Sequence, residues 1–259
     1  MLIVCNGAQK SGSSWLVQLV RRSKLAVPLP AEFRNPGWKN PSFDRDKENA
    51  ALSVEAFGAR DYYVKQHWFR TPLFSKILAA PHVRMLNIVR DIRDTIVSRY
   101  YHKKRVDGYD APFEEFIERG IFTRHTERII EFHASWHMKG PSPFLTSYEA
   151  MQEDFDTEAI EILQYLGVAP EALSKTVKMA KEVTTFENLP NTGDGKHLRK
   201  GVSGDWRNHM TPELESEVLS FVKKRGYADV KQSMARQYPR LEKWLSETDI
   251  GLKRRGALG

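Results

Sequence analysis

One cysteine, Cys5, stands in a chain of 259 residues. That excludes a disulfide framework and a cysteine-based zinc site. No apolar run approaches the roughly 20 residues of a membrane-spanning helix. The first residues, Met1-Leu-Ile-Val-Cys5, read as a strand passing straight into a glycine loop, not as a signal peptide. No internal repeat and no linker divides the sequence. The expectation is one domain over residues 1–259, cytoplasmic, with no transmembrane segment.

What is present suits a folded domain. Hydrophobic residues make up 41% of the chain and aromatics 11%, with six tryptophans, which excludes wholesale disorder. Lys+Arg 40 against Asp+Glu 33 leaves a net charge of +7, so an anionic partner is expected. The basic clusters Lys103-Lys104-Arg105, Lys223-Lys224-Arg225 and Lys253-Arg254-Arg255 read as solvated element ends, because helix C-termini favour cations. No nucleic-acid partner is expected.

Strand and helix signals alternate. Strands are predicted at Leu2–Cys5, Asp61–His67, Met85–Val89 and Phe144–Ser147. Helices are predicted at Ser13–Arg22, Ile92–Lys104, Phe113–Ile121, Thr126–Met138 and Asp156–Leu166, the last closed by Gly167. Another opens at Thr211-Pro212, with a hydroxyl cap and proline in the first turn, and closes at Gly226. The proline-broken stretch over 25–60 reads as a long surface loop. The pattern implies an α/β fold in three layers, a central mostly parallel sheet with helices on both faces.

Gly7-Ala-Gln-Lys10-Ser11-Gly12-Ser13-Ser14 lies between the first strand and first helix. Backbone N–H groups there converge with a helix N-terminus, which suits a phosphate. The glycines have the spacing of a nucleotide-binding P-loop, yet Ser13 stands where a nucleoside triphosphatase needs lysine. Taken alone, the loop also reads as a glycine-serine turn capping a helix.

Gln9-Lys10-Ser11-Gly12-Ser13-Ser14-Trp15 resembles the Pro-Lys-Ser-Gly-Thr-Thr-Trp loop of the cytosolic-type sulfotransferases. These use 3′-phosphoadenosine 5′-phosphosulfate (PAPS) as sulfuryl donor. Arg90-Asp-Ile-Arg-Asp94, with Ser98, Tyr100 and His102, resembles the family's 3′-phosphate segment. Arg199-Lys200-Gly201-Val-Ser-Gly204-Asp205-Trp206 matches its Arg-Lys-Gly-x-x-Gly-Asp-Trp at all six fixed positions. Thr184-Thr185-Phe186 and Tyr148-Glu149 are similar to an adenine contact and a Tyr-Glu pair. The resemblance runs from residue 1 to about 211.

The resemblance implies a P-loop-containing sulfotransferase fold and a donor site formed by Lys10, Ser11, Gly12, Ser13, Ser14, Trp15, Arg90, Ser98, Tyr148, Thr184, Phe186, Arg199, Lys200 and Gly201. Lys65-Gln66-His67 resembles the family's Lys-Thr-His. Strand side chains alternate, so Lys65 and His67 share a face. His67 is the expected general base. Lys10 is expected by the leaving oxygen and Lys65 by the sulfonate, with Ser98 holding Lys10 back until acceptor arrives. A salt bridge from Arg90 to Asp91 or Asp94 is the plainer reading of that arginine.

PAPS carries an already activated sulfate, so no metal is expected. His133 and His137 stand four apart but lack a third ligand. The acceptor is expected to be a hydroxyl, less so an amine, of a small molecule, lipid or glycan. Its pocket is expected in the 25–60 stretch, the 102–115 region and the C-terminal tail. Phe33, Trp38, Trp68, Phe69 and Tyr101 read as ordinary core, with an acceptor wall as the alternative. The chain lacks the N-terminal extension of animal cytosolic members, which suggests a shorter, bacterial-type enzyme.

The family's dimer motif falls on Arg207, Thr211, Pro212 and Ser216, where three of four positions have changed; that dimer is expected to be absent. Two alternatives stand beside this reading: a P-loop kinase-like phosphotransferase and a non-catalytic nucleotide- or anion-binding protein.

Overall fold

The computed structural model describes residues 1–38, 40–53, 60–137, 142–184 and 201–246. Five parallel strands form one sheet in the order β2-β3-β1-β4-β5. They are β1 (Leu2–Gly7), β2 (Val27–Pro28), β3 (Tyr62–Gln66), β4 (Val83–Val89) and β5 (Phe144–Ser147). Both faces are buried, as a parallel sheet requires. Leu2 and Val4 of β1 point into one core and Ile3 and Cys5 into the other, the alternation of a strand.

On the Ile3 side lie α1 (Ser13–Arg22), α7 (Phe155–Tyr165) and α8 (Pro170–Thr184). On the Leu2 side lie α2 (Pro72–Ala79), α5 (Thr123–His137), α10 (Tyr227–Gln237) and α11 (Glu242–Ser246). A third cluster joins α3 (Ile92–His102), α4 (Phe113–Glu118) and α9 (Pro212–Lys224) around Trp206. The short α6 (Tyr148–Glu153) follows β5 directly. Thr211 caps α9, its hydroxyl accepting from the Leu214 N–H at 3.4 Å, with Pro212 in the first turn.

The strand order positions the site. β1 is flanked by β3 and β4, so Gly7, Gln66 and Val89 end side by side. The chain leaves β1 toward β3 and leaves β4 toward β5. Such a switch point opens a crevice at the carboxyl ends of the strands.

Two differences from the sequence reading matter. The 25–60 stretch is not simply a surface loop: it adds β2 and buries Leu29, Phe43 and Ala51 in the core. The helix over 92–104 stops at His102, and Lys103–Asp107 widens into a π-helical turn closed by Gly108 at φ 69°. The helices α2, α8, α10 and α11 were not evident from the sequence.

Candidate active site

The phosphate loop begins where β1 ends. Lys10 and Gly12 take left-handed backbone angles, φ 71° and 104°. Glycine accepts this freely, whereas lysine is strained by it. No side chain caps α1, so its first N–H groups point into the crevice without a protein cap, as at anion sites. Ser11 and Ser13 are buried, and the Ser11 hydroxyl donates to the Ala8 carbonyl at 2.6 Å, bracing the loop. Ser14 is exposed at the helix start. A side chain at Gly12 would come within 2.7 Å of the Tyr148 ring.

Tyr148 is a junction. Its ring meets Trp15 edge-on at 5.2 Å and carries the Arg90 guanidinium at 4.1 Å. Arg90 directly follows β4, where it donates to the Val202 carbonyl at 3.0 Å and lies 3.9 Å from Asp94. Its Nε is buried with no hydrogen-bond partner among the described residues. The expected ion pair to Asp94 is thus long, and Asp91 binds Arg93 instead at 2.7 Å. Asp94 serves another purpose: it accepts the Gly204 and Trp206 N–H groups at 2.7 and 3.0 Å.

Gln152 completes this docking by donating to the Gly201 carbonyl at 2.6 Å and accepting from the Ser203 N–H at 2.5 Å. Arg93 and Arg207 hold the Trp206 ring at 3.8 and 4.4 Å. Segments more than a hundred residues apart in sequence therefore meet at the end of β4. Gly201, at φ 68°, leads this loop. Ser98 is half-buried two turns along α3 from Arg90. Phe186, Arg199 and Lys200 lie outside the described residues, as does the side chain of Thr184.

Lys65 and His67 stand at the end of β3, both partly buried. The His67 Nδ1 lies 2.6 Å from the Gly7 carbonyl. A carbonyl only accepts, so Nδ1 carries the proton and Nε2 is left with its lone pair. Burial, then Lys65 and Lys10 nearby, pull the His67 pKa down to about 4, against the raising effect of the Gly7 bond. Burial and neighbouring cations bring Lys10 down to about 8, and burial does the same for Lys65. These are the perturbed groups expected of a reacting centre.

Sequence reasoning missed what holds His67 in place. Asn6 donates to the Trp68 carbonyl at 3.2 Å and accepts the Trp68 N–H at 2.8 Å, and the Trp136 indole donates to that carbonyl at 2.6 Å. The residue after His67 is thus clamped on both backbone groups. A buried polar residue in an apolar strand was the one available signal.

Of the five aromatics named above, Trp68 is core, whereas Trp38 is 50% exposed with its ring 6.3 Å from that of His67. A loop pinned by Asn35 N–H to the Ser42 carbonyl and Lys65 N–H to the Pro41 carbonyl carries it. Arg105 also departs from the sequence reading: it is half-buried and acts electrostatically on Lys10. Among the described residues no three His, Cys, Asp or Glu gather as a metal site, and no helix is long and apolar enough to cross a membrane.

The sulfotransferase domain model matches residues 2–236. Human sulfotransferase 2A1 is 30% identical over 231 residues, covering 78% of this chain and 76% of that protein. Mouse sulfotransferase 2B1 is 26% identical over 231 residues, covering 78% of this chain and 64% of that protein. Against human sulfotransferase 1E1 the alignment covers 52% of each. The chain thus spans about half to three quarters of the length of these relatives.

Two solved structures share the fold. Mouse sulfotransferase SULT7A1 complexed with PAP has TM-score 0.60 and 19% identity, covering 95% of this chain and 88% of that one. Retinol dehydratase in complex with androsterone and inactive cofactor PAP has TM-score 0.58 and 18% identity, covering 86% and 79%. With the phosphate loop, the strand-end cations and this match in hand, the chain belongs to the sulfotransferase family.

Proposed function

We propose that this protein transfers the sulfuryl group of PAPS to the hydroxyl of a small-molecule acceptor, with His67 as general base. The observation that carries the reading is the His67 Nδ1 contact to the Gly7 carbonyl, which leaves Nε2 unprotonated on a ring whose charge Lys65 and Lys10 act on. The donor site fits PAPS. The uncapped start of α1 suits the 5′-phosphate, and Arg90, whose Nε has no hydrogen-bond partner among the described residues, suits the 3′-phosphate together with Ser98 by resemblance to the family. Trp15 and Tyr148 offer an aromatic wall for adenine. Thr184, Phe186, Arg199 and Lys200 join this site by resemblance to the family.

In the transfer step the acceptor oxygen attacks sulfur in line with the bridging oxygen. The new S–O bond forms as the bond to the 5′-phosphate breaks. Its electron pair stays on the phosphate, leaving adenosine 3′,5′-bisphosphate (PAP). The acceptor proton passes to His67 Nε2. Lys10 offsets charge at the leaving oxygen and Lys65 at the sulfonate, with positioning and electrostatics supplying most of the rate. Trp38 forms one side of the acceptor space over His67. Retinol dehydratase structures hold androsterone or retinol together with PAP, and that class, a small molecule beside the nucleotide, is the one we carry over. The residues 1–259 act as one domain in this reading, without the dimer contact through 207–216.

Calorimetry with PAP, 5′-AMP and ATP in metal-free buffer tests the donor assignment. Tight binding that needs the 3′-phosphate is expected; preference for ATP, or no binding, overturns it.

A further inference from the structure

An arginine meets a phosphate with a rigid planar fork, so its aim matters more than that of a flexible lysine. On α3 the acid beside Arg90 is Asp94, 3.9 Å away and engaged by the Gly204 and Trp206 N–H groups. Closer support comes from α6. Tyr148 opens that helix and carries the Arg90 guanidinium on its ring at 4.1 Å. Glu149 Oε1 accepts the Asp91 N–H at 2.9 Å, which ties down the peptide immediately after Arg90.

Gln152, one helical turn on from Tyr148, acts through the facing loop. Its amide donates to the Gly201 carbonyl at 2.6 Å and accepts the Ser203 N–H at 2.5 Å. Between those two residues lies Val202, whose carbonyl takes the Arg90 Nη2 at 3.0 Å. The Val202 carbonyl and the Ser203 N–H belong to one planar trans peptide and point opposite ways. When Gln152 holds the N–H, the carbonyl is aimed away from Gln152 and at Arg90. Only an amide side chain can donate and accept in this way; a carboxylate accepts and an ammonium donates. With Nη2 committed to Val202, the Nε of Arg90 has no hydrogen-bond partner among the described residues. Holding one corner of the fork sets the direction of the rest.

We propose that Gln152 and Glu149 are positioning residues that aim Arg90 at the 3′-phosphate, Gln152 through the Val202–Ser203 peptide and Glu149 through the Arg90–Asp91 peptide. This rests on the donor role proposed for Arg90 and deepens it: α6 confers preference for a 3′-phosphorylated nucleotide. Both side chains act through Arg90 and not on the nucleotide itself.

Calorimetry with PAP and 5′-AMP tests this, because the two ligands differ only in the 3′-phosphate. Gln152→Met keeps the side-chain length and removes both hydrogen bonds. It is expected to weaken PAP binding about fivefold or more and to leave 5′-AMP within about twofold. Glu149→Met should act alike, whereas Glu149→Gln keeps an accepting oxygen and should hold PAP affinity within about twofold of the unsubstituted protein. In an Arg90→Ala background, adding Gln152→Met should change PAP affinity by less than about twofold, since the two residues act as a unit. If Glu149→Met does not fold, the Gln152 and Arg90 variants decide.

Unchanged PAP affinity in Gln152→Met, equal losses for PAP and 5′-AMP, or a further loss in the Arg90→Ala background overturns the proposal. Failure of Arg90→Ala itself to weaken PAP overturns the donor role of that arginine, and this proposal with it.

Discussion

The base role proposed for His67 rests on surroundings that decide both its tautomer and its charge. The Gly7 carbonyl fixes the proton on Nδ1, and burial, helped by the lysines, keeps the ring neutral near pH 7. His67→Ala is expected to lower turnover by about 10²-fold or more while PAP affinity changes little; full turnover under chemistry-limited conditions would remove the base assignment. Lys10 and Lys65, both brought to about 8, lose their charge as pH rises. kcat/KM for PAPS should therefore fall above about pH 8. Bound PAPS is anionic and raises these pKa values, so the limb in kcat should lie higher. A kcat/KM profile flat to about pH 10 would contradict this.

At the scale of elements, the turn between β1 and α1 would serve the proposed donor site through backbone shape. Gly12 combines φ 104° with a 2.7 Å approach to Tyr148, so two constraints act at one residue. Gly12→Ala should cost about 1–3 kcal/mol and displace Tyr148, the ring that Arg90 lies on. Calorimetry should show PAP binding weakened at least about tenfold; unchanged affinity would mean the loop does not hold the nucleotide. Much of this was legible beforehand. The β1 strand, α1 and β5 follow from apolar runs, α9 from its hydroxyl cap and proline, and the Gly-Asp-Trp loop from its motif. The π-helical turn was not, because 103–107 reads as a basic helix end until Arg99 and Lys103 are seen converging on Asp107.

For the whole molecule, burying histidines sets a limit on acid stability. His133 and His137 are fully buried with pKa values brought down to about 3 and about 4, chiefly by burial, and His125 and His67 are also lowered, to about 3 and about 4. In the unfolded chain each takes a proton near pH 6.5, so unfolding takes up protons below that pH. Their contribution is present above about pH 6.5 and is lost as pH falls toward about 4. Glu149, raised to about 7 by burial, and Asp94, also raised, act oppositely and offset part of it. Thermal melts should show Tm falling from about pH 6.5 to pH 4, with a shallower slope in His133→Gln. A Tm independent of pH over that range would contradict this balance.

The sequence by itself determined the family and the alternation of strands and helices, and it named the candidate site residues, because these depend on local patterning and contiguous motifs. Only the tertiary structure decided how those residues meet. The order β2-β3-β1-β4-β5 sets Gly7, His67 and Arg90 at neighbouring strand ends, and Asp94 binds a loop more than a hundred residues away. Strand order, burial and the charges felt at Lys10 depend on contacts between distant segments. The half-exposed Trp38 over His67 and the inward Arg105 were therefore not legible in the sequence: an aromatic and a basic residue read the same in either environment.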